Sequence, residues 1–181
     1  MKGIYLGAYI ANHPGYDIVY QDINGKRDLP GDMMTIDLSY YDFIIATPPC
    51  NYWSRANWRR DISDYALATK HLLPDILFKL ANQDKPFIVE NVRNDKRFNE
   101  IGLFSMSWLG VHVYKIGRHT YWSNIVLPNY AVGILQKNQF AKTDYKNGKK
   151  RFLSSQNLPR SKRQGTEEVH DVIQLFLETI L

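Results

Sequence analysis

Residues 42–54 read DFIIATPPCNYWS and include the only cysteine of the 181-residue chain. Four consecutive apolar residues, Phe43 to Ala46, are followed by Thr47-Pro48-Pro49-Cys50. The run predicts a short buried strand, and the two prolines end it because neither can donate to a sheet ladder. We therefore expect Cys50 on a rigid turn just beyond the carboxyl end of a buried strand, where open α/β sheets bind their ligands.

A second apolar run ends in polar residues in the same way. Phe87-Ile88-Val89 precedes Glu90-Asn91-Val92. On adjacent strand ends, Cys50 and Glu90 can face one pocket. Taken singly, Cys50 can also be an ordinary turn residue and Glu90 a surface strand cap, but the pairing favours a shared site.

Apolar patterns outside these two runs predict the rest of an α/β sheet. Further strands are predicted at residues 3–10, 16–21, 33–36, 109–114 and 120–123. The last two are expected to form an antiparallel pair near Gly117. Only about eight residues separate Gly7 from the second strand, which is too few for a full helical crossover.

Two helices are predicted from apolar residues at helical spacing. The first covers residues 62–82, with a break or kink at Pro74 and a cap at Asp61 or Ser63. The second is a closing helix over residues 166–181, with Thr166 as its cap.

Length and composition limit the class of protein. One domain spanning residues 1–181 is expected, and 44% of its residues are hydrophobic, which is enough for a sizeable core. The chain shows neither a membrane-length apolar stretch nor a signal peptide at its first residues, so an intracellular, soluble protein is expected. A single cysteine excludes an internal disulfide and a cysteine-rich metal site, and no metal is predicted.

The net charge of +5 is unevenly distributed. Between Lys137 and Arg163 there are nine basic residues and one acid, Asp144, giving 9 − 1 = +8 and leaving 5 − 8 = −3 for the rest. Such a block suggests a polyanionic partner, nucleic acid first, although it can also be a solvated basic loop.

The two strand-end motifs resemble those of a known family. Thr47-Pro48-Pro49-Cys50 with Ser54, followed about forty residues later by Glu90-Asn91-Val92, is similar to the Pro-Pro-Cys and Glu-Asn-Val motifs of DNA cytosine C5 methyltransferases. The resemblance implies a Rossmann-like, mostly parallel seven-stranded S-adenosylmethionine methyltransferase sheet. Here the sheet is expected in a minimal version, with a small basic insert at residues 128–163.

The resemblance also implies catalytic roles. Cys50 adds as a thiolate to carbon 6 of cytosine, and Glu90 stabilises the charge that develops at the N3 edge. Asn91 holds the motif turn or contacts the base edge, and Arg118 contacts the base and supports the cysteine. The family usually repeats an arginine two positions later, where this chain has Thr120. A base within a duplex must be flipped out for this chemistry.

Five positions correspond to the family's site for S-adenosyl-L-methionine. The resemblance carries this site over to Gly7, Asp22, Ile23, Asp37 and Pro48. Asp22 is expected to hold the ribose hydroxyls and Asp37 the adenine amino group. Only one glycine follows the first strand, whereas the family has a Phe-x-Gly-x-Gly turn and a helix there.

Contacts with double-stranded DNA are expected from two segments. The predicted DNA-binding residues are Ser54, Arg55, Asn57, Arg59 and Arg60 in the loop after the cysteine, and Lys149, Lys150 and Arg151 in the basic insert. Trp53 and Trp58, in the same loop, either stack on bases or fill the core.

The sequence thus predicts a compact DNA cytosine C5 methyltransferase, cytoplasmic in a bacterial or phage-infected host, of the kind found in phage and restriction-modification systems. A degenerate nucleic-acid-binding or anti-restriction decoy is one alternative, because the glycine turn is truncated. A pyrimidine-modifying enzyme with a different donor or substrate is another, since thiolate addition to carbon 6 serves several base modifications.

Overall fold

The computed structural model of the protein describes residues 1–8, 12–129, 131–132, 144–146, 149–151 and 164–181, with the backbone alone for residues 144–146, 149–151 and 164–167. The strands are β1 Lys2–Leu6, β2 Asp17–Asp22, β3 Leu29–Pro30, β4 Phe43–Ala46, β5 Phe87–Val92, β6 His112–Ile116, β7 His119–Ser123, β8 Asp144–Lys146 and β9 Lys149–Arg151. The helices are α1 Asp64–Thr69, α2 Leu72–Ala81, α3 Asp95–Glu100 and α4 Gln164–Ile180, with a 3-10 turn at Met106–Leu109.

Seven strands form one mixed sheet in the order β3-β2-β1-β4-β5-β7-β6. Strands β1 to β5 are parallel, whereas β7 runs antiparallel to both of its neighbours. The chain moves outward from β1 to β3 and then returns to place β4 on the other side of β1. This reversal creates a topological switch point, and in open α/β sheets ligands bind outside the carboxyl ends of the strands at that point.

The predicted α/β class and the mostly parallel seven-stranded sheet are confirmed, in an arrangement compatible with a Rossmann-like fold. The antiparallel pair is also confirmed, because β6 and β7 are joined by a tight turn at Gly117.

Alternate residues of β4 contribute to two apolar layers. Ile44 and Ala46 pack in the layer that contains α2, while Phe43 and Ile45 pack in the layer that contains α4. Because side chains alternate across a strand, a continuous apolar run can cover both faces of the sheet. All four residues of β4 are buried, which fixes the strand at the centre of the molecule.

The third strand was predicted at residues 33–36, and this was wrong. The strand is Leu29–Pro30, and the residues after it form a turn around Asp32. Asp32 Oδ1 accepts a hydrogen bond of 2.9 Å from Met34 N, and its carbonyl accepts one of 3.0 Å from Thr35 N. An aspartate that offers the backbone such a partner favours a turn over a strand.

The helix predicted over residues 62–82 is divided into α1 and α2, but the break lies at residues 70–71 and not at Pro74, where it was predicted. Ser63 is the cap, since its side chain accepts a hydrogen bond of 3.4 Å from Ala66 N. Pro74 is the third residue of α2, where an N–H has no partner within the helix, so the proline is tolerated. Two short segments, α3 and the 3-10 turn, were not predicted.

The closing helix α4 begins at Gln164, two residues before its predicted start, so Thr166 is not its cap. Most of the predicted basic insert, 128–163, lies outside the described residues. Within it, Lys149, Lys150 and Arg151 form β9, and their predicted contacts with DNA concern side chains outside the description. Among the described residues, none of the helices has the length and apolar character that a bilayer crossing requires.

Candidate active site

The turn after β4 is held by neighbours on both sides. Thr47 N donates to the carbonyl of Leu6 over 2.9 Å, and Thr47 Oγ1 donates to that of Gly7 over 3.0 Å. On the other side, Asn91 Nδ2 donates to the carbonyl of buried Pro48 over 2.9 Å. Asn91 is itself 1% exposed, and its Oδ1 accepts from Val92 N over 3.0 Å. Of the two roles predicted for Asn91, the structure shows the first, holding the turn.

Cys50 is half-buried on this turn and opens onto a cavity of about 750 Å³. The loop that follows folds back over it, because Ser54 N donates to the Cys50 carbonyl over 2.7 Å. Besides Cys50, the residues that line the cavity include Ser54, Asn57, Trp58, Arg59 and Ile62. Three of the five loop residues predicted to bind DNA therefore share a cavity with the cysteine.

The other two loop arginines are placed differently. Arg55 is exposed, whereas Arg60 Nη1 donates to the carbonyl of Ser54 over 2.8 Å and so holds the loop. Trp53 is 3% exposed and packs against Phe98, so it belongs to the core.

Trp58 is the tryptophan of this loop that faces solvent. It is 81% exposed, and the guanidinium of Arg59 lies 5.5 Å from its ring centroid. An exposed ring beside a cation at the rim of a cavity is suited to stacking on a base.

Glu90 lies at the carboxyl end of β5 with its side chain 13% exposed. Burial raises the pKa of Glu90; His119 opposes this rise and Glu168 adds to it. A carboxyl group in this setting keeps its proton to higher pH than an exposed glutamate and can donate it.

The Cys50 thiol is subject to the same influences. Burial raises the pKa of Cys50, and the charge of Glu90 raises it further. Both effects disfavour the thiolate, which is the nucleophilic form.

The basic side chain beside Glu90 is that of His119, whereas Arg118 was the residue predicted to contact the base and support Cys50. His119 Nε2 lies 3.7 Å from Glu90 Oε1. Arg118 is exposed in the turn between β6 and β7, where its carbonyl accepts from Arg93 N over 2.7 Å. Thr120, at the position of the family's second arginine, is buried, and its Oγ1 has no hydrogen-bond partner among the described residues.

Two residues of this site, His119 and Glu168, were missed from the sequence. His119 directly follows Arg118, but its place beside Glu90 depends on the pairing of β5 with β7, in which Val92 is opposite His119. Glu168 was not predicted as a site residue, and its side chain is 2% exposed.

At the carboxyl ends of β1 to β3, the side-chain amide of Gln21 links the residues that follow β1 and β3. Gly7 has a φ of +72°, and a Cβ atom there would lie 2.5 Å from the Thr47 carbonyl oxygen, so only glycine fits. Gly7 N donates to Gln21 Oε1 over 2.9 Å, and Gln21 Nε2 donates to the carbonyl of Gly31. Gln21 is 1% exposed.

Two of the predicted cofactor residues lie side by side at this edge. Asp22 is 5% exposed, with Oδ2 accepting from Asn24 N over 3.1 Å, and Ile23 is 70% exposed. A carboxylate beside an exposed apolar side chain fits the hydroxyls and the flat ring of a nucleoside.

Asp37 does not join them. It accepts from Ser39 N over 2.9 Å, and Lys85 Nζ, two residues before β5 begins, donates to the Ser39 carbonyl over 2.9 Å. The hydrogen bond from Ser39 lowers the pKa of Asp37, with a smaller effect from Lys85. Asp37 therefore lies near the amino ends of β4 and β5. This is the opposite edge of the sheet from Asp22 and Ile23, where its predicted contact with adenine would require it to be. The acid that follows the true third strand is Asp32.

No family model matches the chain, and no curated protein matches it either.

Proposed function

We propose that this protein is a DNA cytosine C5 methyltransferase in which Cys50 adds to carbon 6 of a flipped cytosine. The observation that carries the proposal is the position of Cys50 and Glu90 at the ends of adjacent parallel strands, close enough for the charge of Glu90 to raise the pKa of the thiol. Asn91 fixes this geometry by fastening the turn that bears the cysteine.

The chemistry follows from the two side chains. The Cys50 thiolate forms a bond to carbon 6, while Glu90 gives its proton to N3, so that carbon 5 becomes nucleophilic. The raised pKa of Glu90 supports this role, because the carboxyl must hold a proton in order to donate it. S-adenosyl-L-methionine supplies the methyl group when it is bound. Asp22 and Ile23 would hold its nucleoside, with Gly7 beside them.

The cavity at Cys50 supports a flipped base as the substrate. At about 750 Å³ it falls in the range of small-molecule sites. Arg55 and Arg59 would meet phosphates, and Trp58 would stack on a neighbouring base. The basic block between residues 137 and 163 would add sequence-independent attraction to the backbone.

The decisive experiment uses labelled S-adenosylmethionine and cytosine-containing DNA. We expect label at carbon 5 with the wild type, none with Cys50→Ala, and wild-type labelling with Asn82→Ala, a control exposed at the end of α2. If the wild type transfers no label and shows no cofactor binding by calorimetry, the proposal is wrong.

Glu90→Gln gives a second and more specific test. Since the charge of Glu90 raises the pKa of the thiol, the variant should alkylate faster with iodoacetamide at pH values where Glu90 is ionised in the wild type. Cys50 is the only thiol to react. Methyl transfer should instead fall by roughly 10²–10³-fold, the usual cost of losing one charge-stabilising donor. If Glu90→Gln methylates at the wild-type rate, Glu90 does not take part in the reaction.

A nucleic-acid-binding protein without turnover is the second candidate. One observation favours it: the N–H of Gly7, which a glycine turn offers to a bound molecule, is taken by buried Gln21. This candidate predicts DNA binding that is equal in the wild type and Cys50→Ala, with no modified base. Mass spectrometry of the treated DNA would also reveal a modification from a different donor.

A further inference from the structure

The closing helix places a carboxylate against the turn between β6 and β7. Glu168 accepts from His119 Nδ1 over 3.1 Å, from the Tyr121 hydroxyl over 3.4 Å and from Arg118 N over 3.5 Å. Gly117 leaves the room for it: its φ is +52°, and a Cβ atom there would lie 2.8 Å from Glu168 Cδ. The glutamate is 2% exposed, so this contact is part of the interior.

The other nitrogen of the same imidazole faces Glu90. His119 Nε2 lies 3.7 Å from Glu90 Oε1, and both side chains are 13% exposed. Glu168, His119 and Glu90 therefore form a row in which one imidazole stands between two carboxyl groups. We call this the Glu168–His119–Glu90 row.

Resting on the function proposed above, we propose that His119 is a positioning residue that compensates the charge of Glu90 during the reaction. When Glu90 transfers its proton to N3 of cytosine, the O–H bond of Glu90 breaks, an N–H bond forms on the base, and the carboxyl group becomes a carboxylate. The imidazolium of His119 stabilises this carboxylate, and no bond to His119 is made or broken. Glu168 orients the ring through Nδ1 and favours its charged form.

The electrostatics of the row agree with this role. Burial lowers the pKa of His119, but Glu90 and Glu168 together more than offset this, so that the pKa is raised overall. Among the side chains that the structure describes, the other titratable or charged groups that face the row are Arg118, which opposes the rise, the hydroxyls of Tyr121 and Tyr5, and Cys50. Both tyrosines have raised pKa values because they are buried, so they stay neutral while His119 titrates.

If the role of His119 were purely structural, it would consist only of the hydrogen bond that His119 donates to buried Glu168. It would not require the second nitrogen to face Glu90, and it would leave kcat unchanged in a folded His119→Gln variant. The two roles can therefore be separated by measurement.

The first measurement is independent of activity. The chain has five histidines, and a His119→Gln variant assigns the His119 signal in an NMR titration of the imidazole C–H groups. We expect its pKa to lie above the usual histidine value in the wild type and to fall in Glu168→Gln, which keeps the side-chain shape but removes the charge. A His119 pKa that is the same in both proteins overturns the proposal.

The second measurement is the rate of methyl transfer against pH. We expect His119→Gln to lower kcat roughly 10- to 100-fold with little change in KM, as for the loss of a preorganised charge. In Glu168→Gln the alkaline limb of the profile should move to lower pH, because Glu168 raises the pKa values of both His119 and Glu90. His71→Gln, at an exposed histidine before α2, is the matched control and should match the wild type.

The results separate the two proposals. A wild type that does not methylate refutes the proposed function, and the NMR titration then decides on the row by itself. If the wild type methylates and folded His119→Gln is within twofold of His71→Gln, the role of His119 is refuted while the proposed function stands. Urea unfolding of each variant identifies any that fail to fold. If His119→Gln does not fold, the shift of the His119 pKa in Glu168→Gln decides.

Discussion

Replacing Asn91 with alanine should loosen the turn that carries Cys50 and destabilise the fold. The change removes two hydrogen bonds, to the buried carbonyl of Pro48 and from the half-buried N–H of Val92. An unsatisfied buried carbonyl costs about 2 kcal/mol and a half-buried N–H about 1 kcal/mol, giving about 3 kcal/mol in all. This is a large share of the about 5–15 kcal/mol that stabilises a typical domain.

Urea unfolding followed by tryptophan fluorescence measures this loss. Asn82→Ala is the matched control, because the Asn82 amide also donates to a backbone carbonyl, that of Phe78, but at an exposed position. We expect the control to lose less than about 1 kcal/mol. If Asn91→Ala is no more destabilised than Asn82→Ala, Asn91 does not hold the turn.

Asn91→Asp tests the direction of the same hydrogen bond. A carboxylate cannot donate to the Pro48 carbonyl, whereas a protonated carboxyl group can, so the folded state should raise the pKa of the new side chain above its usual value of about 3.9. A raised folded-state pKa gives stability that is present below the unfolded-state pKa and is lost as pH rises through the folded-state value. Relative to the wild type at each pH, the variant should therefore be most stable below about pH 4 and lose stability as the pH rises. A deficit that does not change with pH would contradict the assigned donor.

Three further changes test other parts of the structure. Trp58→Ala should weaken binding of a DNA oligonucleotide by about 1–3 kcal/mol, as measured by fluorescence anisotropy. Trp108 is also exposed but lies outside the cavity lining, so Trp108→Ala should bind as the wild type does. Equal losses in the two variants would exclude a specific stacking role for Trp58. Gly117→Ala should lose more free energy of unfolding in urea than Gly102→Ala. Both residues have positive φ, which costs an alanine about 1–3 kcal/mol, but only the Cβ atom added at Gly117 would also meet the Glu168 carboxylate of the closing helix. Equal losses in the two variants would refute that contact. His13 is 2% exposed, and its pKa is lowered to about 4, first by burial and then by a neighbouring histidine. Its contribution to the free energy of unfolding should be complete above the unfolded-state pKa of about 6.5 and fall toward pH 4 by up to about 1.4 kcal/mol per pH unit. His13→Gln should reduce this loss, and an unchanged pH dependence of stability in the variant would contradict it.

The central strands could be predicted from the sequence because they are buried on both faces. Such strands are continuous apolar runs, and the runs at Phe43 and Phe87 agree with β4 and β5. The antiparallel pair could also be predicted, since a glycine separates two short runs rich in β-branched and aromatic residues. Strand β3 could not, because two residues show no alternation and Asp32 forms a turn just after them.

The candidate site divides along similar lines. Cys50 and Asn91 could be singled out because each lies within a few residues of the end of an apolar run, a local property of the chain. The contact between His119 and Glu168 spans 49 positions and depends on how α4 docks against the turn at Gly117. In the sequence, Glu168 is indistinguishable from the acids that favour any helix amino terminus. Asp37 was misplaced because its prediction depended on the strand that proved wrong.

The docking of α4 has a consequence for the order of folding. Gln174 donates to the Tyr16 hydroxyl over 2.9 Å, across 158 positions of the chain, and Glu168 reaches back to His119. Contacts between such distant segments form late, because the entropy of closing the intervening chain must be overcome before they stabilise anything. Before residue 168 has left the ribosome, the nascent chain can assemble its first strands. At that stage His119 has Glu90 beside it but does not yet have Glu168 as its other partner. The set of charged groups around Cys50 is thus completed only after the segment that contains Glu168 has left the ribosome.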